Sequence, residues 1–354
     1  MKCVSLRLIR IRSFDDCTLE PGEGLTFLEG PNGSGKTNLA EALYYASAGR
    51  SFRTAFDTEM IRLGEPEGTI LLSFSVRGVT HELNLRISRE NGKKFTVNST
   101  ALKKKELLGL FRTVLFTPSE LQLIKGAPQL RRRFLDMEIS QVSPRYYETF
   151  LRYSRAVAQR NAAFRNAQLT GKKPDIDLWD MQIASGAVYL VKKRLETIRK
   201  MNGTVPAMES VLTGNRENLE IRYVQHGTEE IRTDEEWFLR KLSESREEDA
   251  RYCRTSVGPH RDDLTFLMNG IDIARYGSQG QQRTAILAMK LSETGYIREE
   301  TGESPVLILD DIGSELDRPR RDALLRYLQE QHIQTVLTGT EAPEGYTGKI
   351  VRIG

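Results

Sequence analysis

Residues 30–37 constrain the fold of this chain more than any other segment, because they read Gly-Pro-Asn-Gly-Ser-Gly-Lys-Thr. This run fits the pattern G-x-x-x-x-G-K-S/T of a phosphate-binding loop. The apolar run Leu25–Glu29 precedes it as a short buried strand, and residues 37–48 follow with apolar side chains at helical spacing. A strand, a glycine-rich turn and a helix in this order predict a phosphate-binding loop in an α/β fold.

The residue types in this loop suit a nucleoside triphosphate and its metal ion. The glycines let the backbone approach a phosphate closely, and the N–H groups lie at a helix N-terminus, where the dipole favours negative charge. We expect Lys36 to reach the β- and γ-phosphates of ATP and the Thr37 hydroxyl to bind Mg²⁺. The predicted nucleotide contacts in the loop are Gly30, Pro31, Asn32, Gly33, Ser34, Gly35, Lys36 and Thr37.

A second acidic element, Asp310 with Asp311, follows the apolar run Val306–Leu309. A carboxylate at the end of a buried strand can hold Mg²⁺, commonly with bound water. A second carboxylate beside it can orient or deprotonate the attacking water. We therefore predict that Asp310 is a metal ligand and that Asp311 is catalytic. The alternative for Asp311 is a carboxylate that only supports its neighbour.

The order of strand-like and helix-like segments predicts a divided α/β chain. Strand-like runs open it, at 3–11, 25–29, 69–76 and 79–87. Helix-like runs follow at 128–141, 144–168, 178–201 and 235–246, and strand-like runs return at 306–309, 335–338 and 349–353. We predict a head formed by residues 1–117 plus 255–354 and an inserted, mainly helical domain of residues 118–254.

The composition is that of a globular chain, with 39% hydrophobic and 28% charged residues among 354. No apolar stretch reaches the roughly 20 residues that a membrane span needs. Arginines interrupt the apolar N-terminal run, which argues against a secretory signal. The spacing of the three cysteines and four histidines indicates neither a disulfide framework nor a zinc site. We expect a reduced, cytoplasmic protein.

Residues 278–283 read Ser-Gln-Gly-Gln-Gln-Arg, and Ser314-Glu-Leu-Asp317 follows the acidic pair. With the phosphate loop, and in this order, they resemble the signature motif and D-loop of ABC-type ATPases. Further blocks resemble the RecF family of bacterial recombination mediator ATPases, and they cover essentially the whole chain. These are Gly-Arg-Ser-Phe-Arg-Thr at 49–54, Gln-Leu-Ile-Lys-Gly at 122–126, Arg-Arg-Arg-Phe-Leu-Asp at 131–136, Val-Gly-Pro-His-Arg-Asp-Asp at 257–263 and Tyr-Gly-Ser-Gln-Gly-Gln-Gln-Arg at 276–283.

This resemblance implies an ABC-type P-loop ATPase head with an inserted helical domain. It implies an ATP-dependent homodimer, slow ATP hydrolysis, and binding to single-stranded, duplex or gapped DNA. It also implies work with RecR, and with RecO, in loading recombinase at gaps and in the SOS response.

The resemblance also implies roles for individual residues. Ser278 and Gly280 would bind the γ-phosphate held by the opposite subunit, and with Asp311 and Lys36 they form the predicted catalytic set. Arg12 resembles a position near the adenine, the alternative being a solvated strand end. Gln122 would sense Mg²⁺ and water, the alternative being a surface residue.

Two further residue sets carry open alternatives. Thr338 stands where many ABC ATPases have a switch histidine, which implies slow turnover because a threonine cannot act as an imidazole does. His260 and Arg261 would contact nucleotide, DNA or a domain interface, or form an ion pair with Asp262 or Asp263.

A local positive charge indicates where DNA would bind. Residues 125–200 hold 16 Lys and Arg against 7 Asp and Glu, whereas residues 201–250 hold 6 against 12. Such asymmetry is typical of a face that meets an anion, the alternative being two solvated helix faces. The candidate phosphate contacts are Lys125, Arg131, Arg132 and Arg133, with Lys172, Lys173, Lys192, Lys193 and Arg194. Alternatively, the arginines at 131–133 pair with Asp136 and Glu138 on their own helix.

Three other functions compete with a repair ATPase. A transporter's nucleotide-binding subunit keeps its loop and signature much closer together than Thr37 and Ser278 are here. A small-molecule kinase explains the loop but leaves the signature and D-loop unexplained. A DNA-bound scaffold with a nearly idle ATPase remains the alternative within the family.

Overall fold

A computed structural model describes residues 1–172, 174–214 and 217–354, apart from the side chains of Ser314 and Glu315. Lys173 and those two side chains therefore lie outside the described part of the chain. The chain divides into two compact units. The first comprises Met1–Leu121, Thr204–Glu217 and Gln279–Gly354, and the second comprises Gln122–Gly203 and Asn218–Ser278.

The described strands form three sheets. In chain order they are β1 (Lys2–Ile11), β2 (Phe14–Leu19), β3 (Leu25–Glu29), β4 (Glu67–Val76), β5 (Val79–Ser88), β6 (Gly92–Val97), β7 (Thr100–Leu102), β8 (Thr113–Phe116), β9 (Leu219–Val224), β10 (Asp263–Met268), β11 (Ile271–Asp272), β12 (Val306–Leu309), β13 (Thr335–Gly339) and β14 (Lys349–Arg352).

The described α-helices range from single turns to helices of more than twenty residues. They are α1 (Lys36–Ala48), α2 (Lys104–Leu107), α3 (Gln122–Lys125), α4 (Pro128–Val142), α5 (Pro144–Thr170), α6 (Asp177–Asn202), α7 (Val205–Thr213), α8 (Glu235–Glu244), α9 (Arg246–Tyr252), α10 (Ile273–Tyr276), α11 (Gln279–Thr301), α12 (Ile312–Glu315) and α13 (Arg318–Glu330). Short 3₁₀ turns cover Asp57–Met60 and Pro118–Leu121.

A parallel sheet in the first unit positions the phosphate loop. Its strand order is β14-β3-β13-β12-β8, and all the neighbouring pairs are parallel. The apolar residues of β12 are completely buried, as expected for a central strand covered on both faces. The carboxyl ends of β3, β13 and β12 therefore lie side by side at one edge, where ligands bind in open α/β sheets.

The first unit also contains an antiparallel sheet of order β2-β1-β4-β5-β6-β7. Its strands alternate buried and exposed residues, so that one face enters the core. Helix α1 contacts both β4 of this sheet and β13 of the parallel sheet. Buried side chains from both sheets and α1 form one hydrophobic core, which fixes the helix that carries Lys36 and Thr37.

The second unit is mainly helical, with a small sheet of order β11-β10-β9. Helices α5 and α6 pack along each other. Ser143 caps α5 by accepting a hydrogen bond from the Tyr146 N–H, and Gly171 ends that helix in a left-handed conformation. Two arginines are fully buried here. Arg160 pairs with Asp180 and Asp249, and Arg194 pairs with Asp136.

The domain boundaries in the structure differ from the predicted 118–254. Strand β10 pairs with β9, so residues up to 278 belong to the helical unit. Helix α7 packs against α11 and α13, so residues 204–217 belong to the head. Local patterns predict a strand or a helix but do not indicate which sheet the strand joins or which unit the helix packs against, and this explains both differences.

The predicted elements otherwise correspond to observed ones. Strands β3 and β12 have the predicted bounds, and β4 with β5 forms the predicted hairpin. The helix predicted at 235–246 is divided at Ser245 into α8 and α9. Among the described helices, none combines the length and the apolar character needed to cross a bilayer.

Candidate functional site

The phosphate loop joins β3 to α1, and its geometry requires glycine. Gly35 has φ +106°, and a Cβ there would lie 2.5 Å from Cζ of Phe14. A Cβ at Gly30 would lie 2.2 Å from the carbonyl oxygen of Ile353. The backbone at both positions is therefore packed too closely for any side chain, and this keeps the loop compact against the strand end.

Lys36 and Ser34 present polar atoms suited to a phosphate. The Lys36 ammonium donates to the carbonyl oxygens of Gly30 and Pro31, each 2.7 Å away, so the long side chain is held across the loop. The Ser34 Oγ is buried and has no hydrogen-bond partner among the described residues. The N-terminus of α1 has no side-chain cap. An orphaned hydroxyl and an uncapped helix start both fit an anion at this place.

The loop and the acidic strand end meet through two hydroxyl groups. Thr37 Oγ1 donates to Asp310 Oδ1 at 3.0 Å, and Thr338 Oγ1 donates to the same oxygen at 2.8 Å. Strand β13, which carries Thr338, lies between β3 and β12. The structure thus brings together the two residues that the sequence predicted as metal ligands.

Burial raises the pKa of Asp310 above its usual range, and the hydrogen bonds from Thr338 and Thr37 oppose this effect. A divalent cation would stabilise the ionised carboxylate in such a site. Mg²⁺ commonly takes one or two carboxylates together with substrate phosphates and water. The Thr37 hydroxyl and the Asp310 carboxylate fit that role, and they are the residues that would hold the ion.

Asp311 lies at the same strand end in a left-handed conformation, with φ +55°. Its backbone N–H donates to Thr338 Oγ1 at 2.9 Å, and its side chain is exposed. The turn therefore separates the two carboxylates, because Asp310 enters the buried site while Asp311 faces solvent. This placement is compatible with the predicted catalytic role and does not test it.

Arg12 is held beside the loop by an acidic residue that the sequence analysis missed. Its Nε and Nη2 atoms donate to the two carboxylate oxygens of Glu41 at 2.9 and 2.6 Å, and Nη1 donates to the Glu59 carbonyl oxygen at 2.7 Å. Glu41 is completely buried on α1, four residues after Thr37. A glutamate within the apolar face of 37–48 was the signal that could have revealed this pair.

The signature segment lies at the start of α11. Ser278 is exposed and precedes the helix, and the Gly280 carbonyl oxygen accepts a hydrogen bond from the Thr284 hydroxyl at 2.9 Å. Gln122 is exposed at the start of α3 in the second unit. Their proposed actions on nucleotide remain predictions.

The candidate DNA contacts differ in how available their charges are. Lys125 and Arg133 are exposed. Arg132 is half-buried and donates to the Asp262 carbonyl oxygen at 2.6 Å. Arg131 is buried, forms two hydrogen bonds with Asp263 at 2.7 and 2.9 Å, and also donates to the Gly126 carbonyl oxygen at 2.8 Å.

The burial of Arg131 corrects its assignment as a DNA contact, because its guanidinium already donates hydrogen bonds to the Asp263 carboxylate and to the Gly126 carbonyl oxygen. Arg194 is corrected for the same reason, since it is buried against Asp136. Both arginines read as exposed charges in the sequence because their partners are distant. Asp263 follows Arg131 by 132 residues, and Arg194 follows Asp136 by 58.

His260 has a structural environment within the second unit. Its Nε2 lies 3.0 Å from the Thr255 carbonyl oxygen and must donate to it, so Nδ1 accepts from the Tyr153 hydroxyl. The pKa of His260 is lowered from 6.5 to about 4, mainly by burial; the hydrogen bond to Thr255 opposes this, and the nearby charges of Arg261 and Arg132 add to the lowering. Among the open alternatives for His260, the structure does not show the ion pair with Asp262, because both ring nitrogens have other partners and that carboxylate accepts from the Tyr223 hydroxyl and the His226 N–H.

The fold and this site define the head of an SMC-like P-loop ATPase. The family model described as the RecF/RecN/SMC N terminal domain matches residues 3–343. The DNA replication and repair protein RecF of Clostridium beijerinckii is 36% identical over 352 residues, which cover 99% of this chain and 95% of that protein. RecF of Symbiobacterium thermophilum is 39% identical over 348 residues, covering 95% and 91%. The chain belongs to the RecF family of DNA replication and repair proteins.

Solved structures agree with this assignment. A structure described as the recombination mediator protein RecF-ATPrS in the RecFOR pathway has a TM-score of 0.90 and 32% identity, and the match covers 100% of this chain and 96% of that one. The corresponding RecF-ATP structure has a TM-score of 0.91, 32% identity and coverage of 99% and 95%. An SMC head bound to a domain of ScpA, at 14% identity and a TM-score of 0.56 over 96% and 89%, shares the fold alone.

Proposed function

We propose that this chain binds ATP with Mg²⁺ at residues 30–37 and Asp310, and that bound ATP joins two copies of the chain on DNA. The observation that carries the proposal is the 3.0 Å contact between Thr37 and Asp310, which joins the loop helix to the acidic strand end. The relatives described as RecF with ATP and RecF-ATPrS support the choice of nucleotide.

Each residue at this edge has a role that its geometry supports. The loop N–H groups and Lys36 bind the phosphates, and Thr37 with Asp310 orients the metal ion. The ion, when bound, neutralises charge that develops on the phosphates. The exposed carboxylate of Asp311 orients or deprotonates the attacking water, while Arg12 supports the loop beside the adenine.

The dimer follows from a second set of contacts. We propose that Ser278 and Gly280 bind the γ-phosphate held by the other copy, with Gln122 sensing the metal and water. ATP then binds the dimer more tightly than the monomer, so by linkage it drives dimerisation. Loss of the γ-phosphate by hydrolysis removes this contact and releases the pair.

DNA binding in this proposal is mainly electrostatic. Lys125, Arg132 and Arg133 remain its phosphate contacts, so affinity should fall steeply with salt and vary little with sequence. We propose RecR, acting with RecO, as partners in loading recombinase at gaps and in the SOS response, and the cytoplasm as the location. The pathway named for the solved relatives supports this choice.

Slow turnover is supported by the hydrogen bonds of Thr338. Its hydroxyl has one hydrogen, which it donates to Asp310, and it accepts from the Asp311 N–H. The hydroxyl is therefore committed within the strand edge and differs from a histidine that can contact a γ-phosphate. This observation also favours the second candidate, a DNA-bound scaffold whose ATPase is nearly idle.

Sedimentation of the purified chain with and without ATP and Mg²⁺ tests the proposal. We expect a shift from monomer to dimer that requires both, and that is lost in Lys36→Met. Lys94→Met is the matched control, because Lys94 is exposed on β6 and should leave the shift unchanged. A monomer under all conditions, despite measurable ATP binding, would reject the dimer mechanism.

Hydrolysis separates the two candidates. In the switch mechanism, the Asp311→Asn variant with ATP and Mg²⁺ should still form the dimer, and the dimer should last longer because hydrolysis no longer releases it. In the scaffold mechanism, Asp311→Asn leaves dimer lifetime and DNA residence unchanged. A small molecule, instead of DNA, that accelerates ATP loss would contradict both and indicate a kinase.

A further inference from the structure

A groove lies between the two longest described helices of the second unit, α5 and α6. It encloses about 820 Å³, within the usual size of ligand sites. One wall is α5, the other is α6, and Glu235 at the start of α8 closes one side. None of the sites described above uses this groove.

The wall formed by α5 carries positive charge. Arg145, Arg152 and Arg155 line the groove and are exposed. Neither Arg152 nor Arg155 forms an ion pair within the described residues. The helical rise places Arg145 and Arg152 about 10 Å apart along the wall. Three guanidinium groups against one carboxylate, that of Glu235, make the groove a site for an anion.

The wall formed by α6 carries aromatic rings. Trp179 and Tyr189 line it, and both are partly exposed. The Arg145 guanidinium lies 4.9 Å from the centroid of the Tyr189 ring, a cation–π contact that orders both side chains. Gln159 from α5 and Gln182 from α6 add an amide to each wall. Amides offer the paired donor and acceptor that a base edge requires.

We propose that this groove binds a nucleotide unit, with the base against the aromatic wall and the phosphate on the arginines. The unit is either a free nucleotide or an unpaired nucleotide of a strand. Stacking on aromatic rings and arginine planes, together with phosphate contacts, is how proteins hold unpaired bases. This site is additional to the proposed ATP site and lies wholly within the second unit.

The lining favours a nucleotide over an acidic peptide. An amphipathic peptide helix docks through apolar anchors in a hydrophobic groove, and an acidic segment without such anchors would use the arginines but not the aromatic wall. The described lining contains no Leu, Ile, Val or Phe, and Met181 is its one long apolar side chain. Gly186 instead lets the Tyr153 ring of α5 pack closely against α6, since a Cβ at Gly186 would lie 3.2 Å from Cδ2 of that ring.

Trp179 provides a local readout, because the chain has only one other tryptophan, Trp237. Trp237→Phe leaves Trp179 as the sole fluorophore, and Trp179→Phe, which keeps Trp237, gives the background. Both are combined with Lys36→Met and titrated without Mg²⁺, so that the ATP site does not contribute. The probes are dAMP and dTMP as free nucleotides, and oligo(dA) and oligo(dT) as strands.

We expect saturable quenching of Trp179 by at least one class of probe. Quenching by the mononucleotides identifies a free-nucleotide site, and quenching by the strands alone identifies an unpaired nucleotide of a strand. Arg152→Ala should weaken the affinity about tenfold, because it removes hydrogen bonds to a charged phosphate. Arg165→Ala is the matched control, since Arg165 is exposed on the same helix outside the groove.

Three results would overturn the proposal. These are no quenching by any nucleotide probe, an equal effect of Arg165→Ala and Arg152→Ala, and quenching by a Phe-containing oligoglutamate alone. In the unmutated background, Arg152→Ala should leave the ATP-dependent sedimentation shift intact. The groove site and the ATP-dependent dimer can therefore fail independently of each other.

Discussion

Replacement of Arg194 by methionine tests the structure at a residue that the sequence suggested as a DNA contact. In the structure, Arg194 donates to both carboxylate oxygens of Asp136 at 2.8 and 3.1 Å and to the Pro259 carbonyl oxygen at 2.7 Å. It also donates to the hydroxyls of Tyr146 and Tyr223. Methionine keeps much of the apolar stem and removes every one of these donors.

The magnitude follows from what the change leaves behind. Asp136 would keep only the Tyr146 hydroxyl among these partners, and burial raises the pKa of that tyrosine, so it remains a neutral donor. Removal of one member of a buried ion pair costs about 3–5 kcal/mol. With a urea m-value of about 2 kcal/mol/M, the unfolding midpoint should fall by about 2 M.

Urea unfolding followed by circular dichroism measures this shift, and the neighbouring Lys193 supplies the control. Lys193 pairs with Glu196, and both side chains are about one-third exposed. Lys193→Met should therefore cost less than about 1 kcal/mol. Asp136→Asn combined with Arg194→Met should recover part of the loss. If Arg194→Met unfolds like Lys193→Met and loses DNA affinity instead, the buried pairing is wrong.

Three further outcomes can be measured. Gly35→Ala should weaken binding of a fluorescent ATP analogue at least tenfold, because the added Cβ would collide with the Phe14 ring. Gly33→Ala should weaken binding less, because no atom lies within 4 Å of the Cβ that it adds. Equal effects of the two substitutions would contradict the packing argument. Asp310→Asn should abolish the Mg²⁺ dependence of that binding while leaving metal-free binding measurable, and a retained dependence would exclude Asp310 as a ligand. The pKa of His260 is lowered from 6.5 to about 4, so on acidification the unfolded chain takes up the proton before the folded one does. As the pH falls from 6.5 to 4, the free energy of unfolding should therefore fall by up to about 1.4 kcal/mol per pH unit. Urea unfolding at pH 5 and 7 should show a shallower dependence for His260→Gln, and an unchanged slope would refute the assignment.

The phosphate loop and the acidic strand end could be predicted because their chemistry is local. Strand β3 and the loop are contiguous, and the apolar run of β12 ends at Asp310. Parallel strands end at one edge, so the contact between Thr37 and Asp310 follows once both strands are assigned to one sheet. The sequence did not show that Thr338 shares the same carboxylate oxygen, because strand order depends on long-range pairing.

The charged residues of the second unit were harder to predict. Arg131, Arg132 and Arg133 are consecutive, yet their side chains are buried, half-buried and exposed in turn. Successive residues on a helix face directions about 100° apart, so a basic run always distributes its charges around the axis. Which charge enters the interior depends on a partner such as Asp263, and nothing local to the run indicates that partner.

The groove residues were missed for a related reason. Trp179 and Tyr189 stand at helical spacing, which is typical of core positions. Tyr146 and Tyr153 on α5, which stand at helical spacing too, are buried as that pattern suggests. Only the packing of α6 on α5 shows that the two rings of α6 face a row of arginines.

The position of β3 in its sheet affects when the loop can form during synthesis. Its two neighbours, β13 and β14, begin at Thr335 and Lys349, about three hundred residues later. A ribosome must therefore translate the chain beyond Thr335 before the strand that holds residues 30–37 has either partner. Until then a nascent chain has the loop sequence without its scaffold, so nucleotide affinity should appear late and abruptly, after the helical unit has had time to fold.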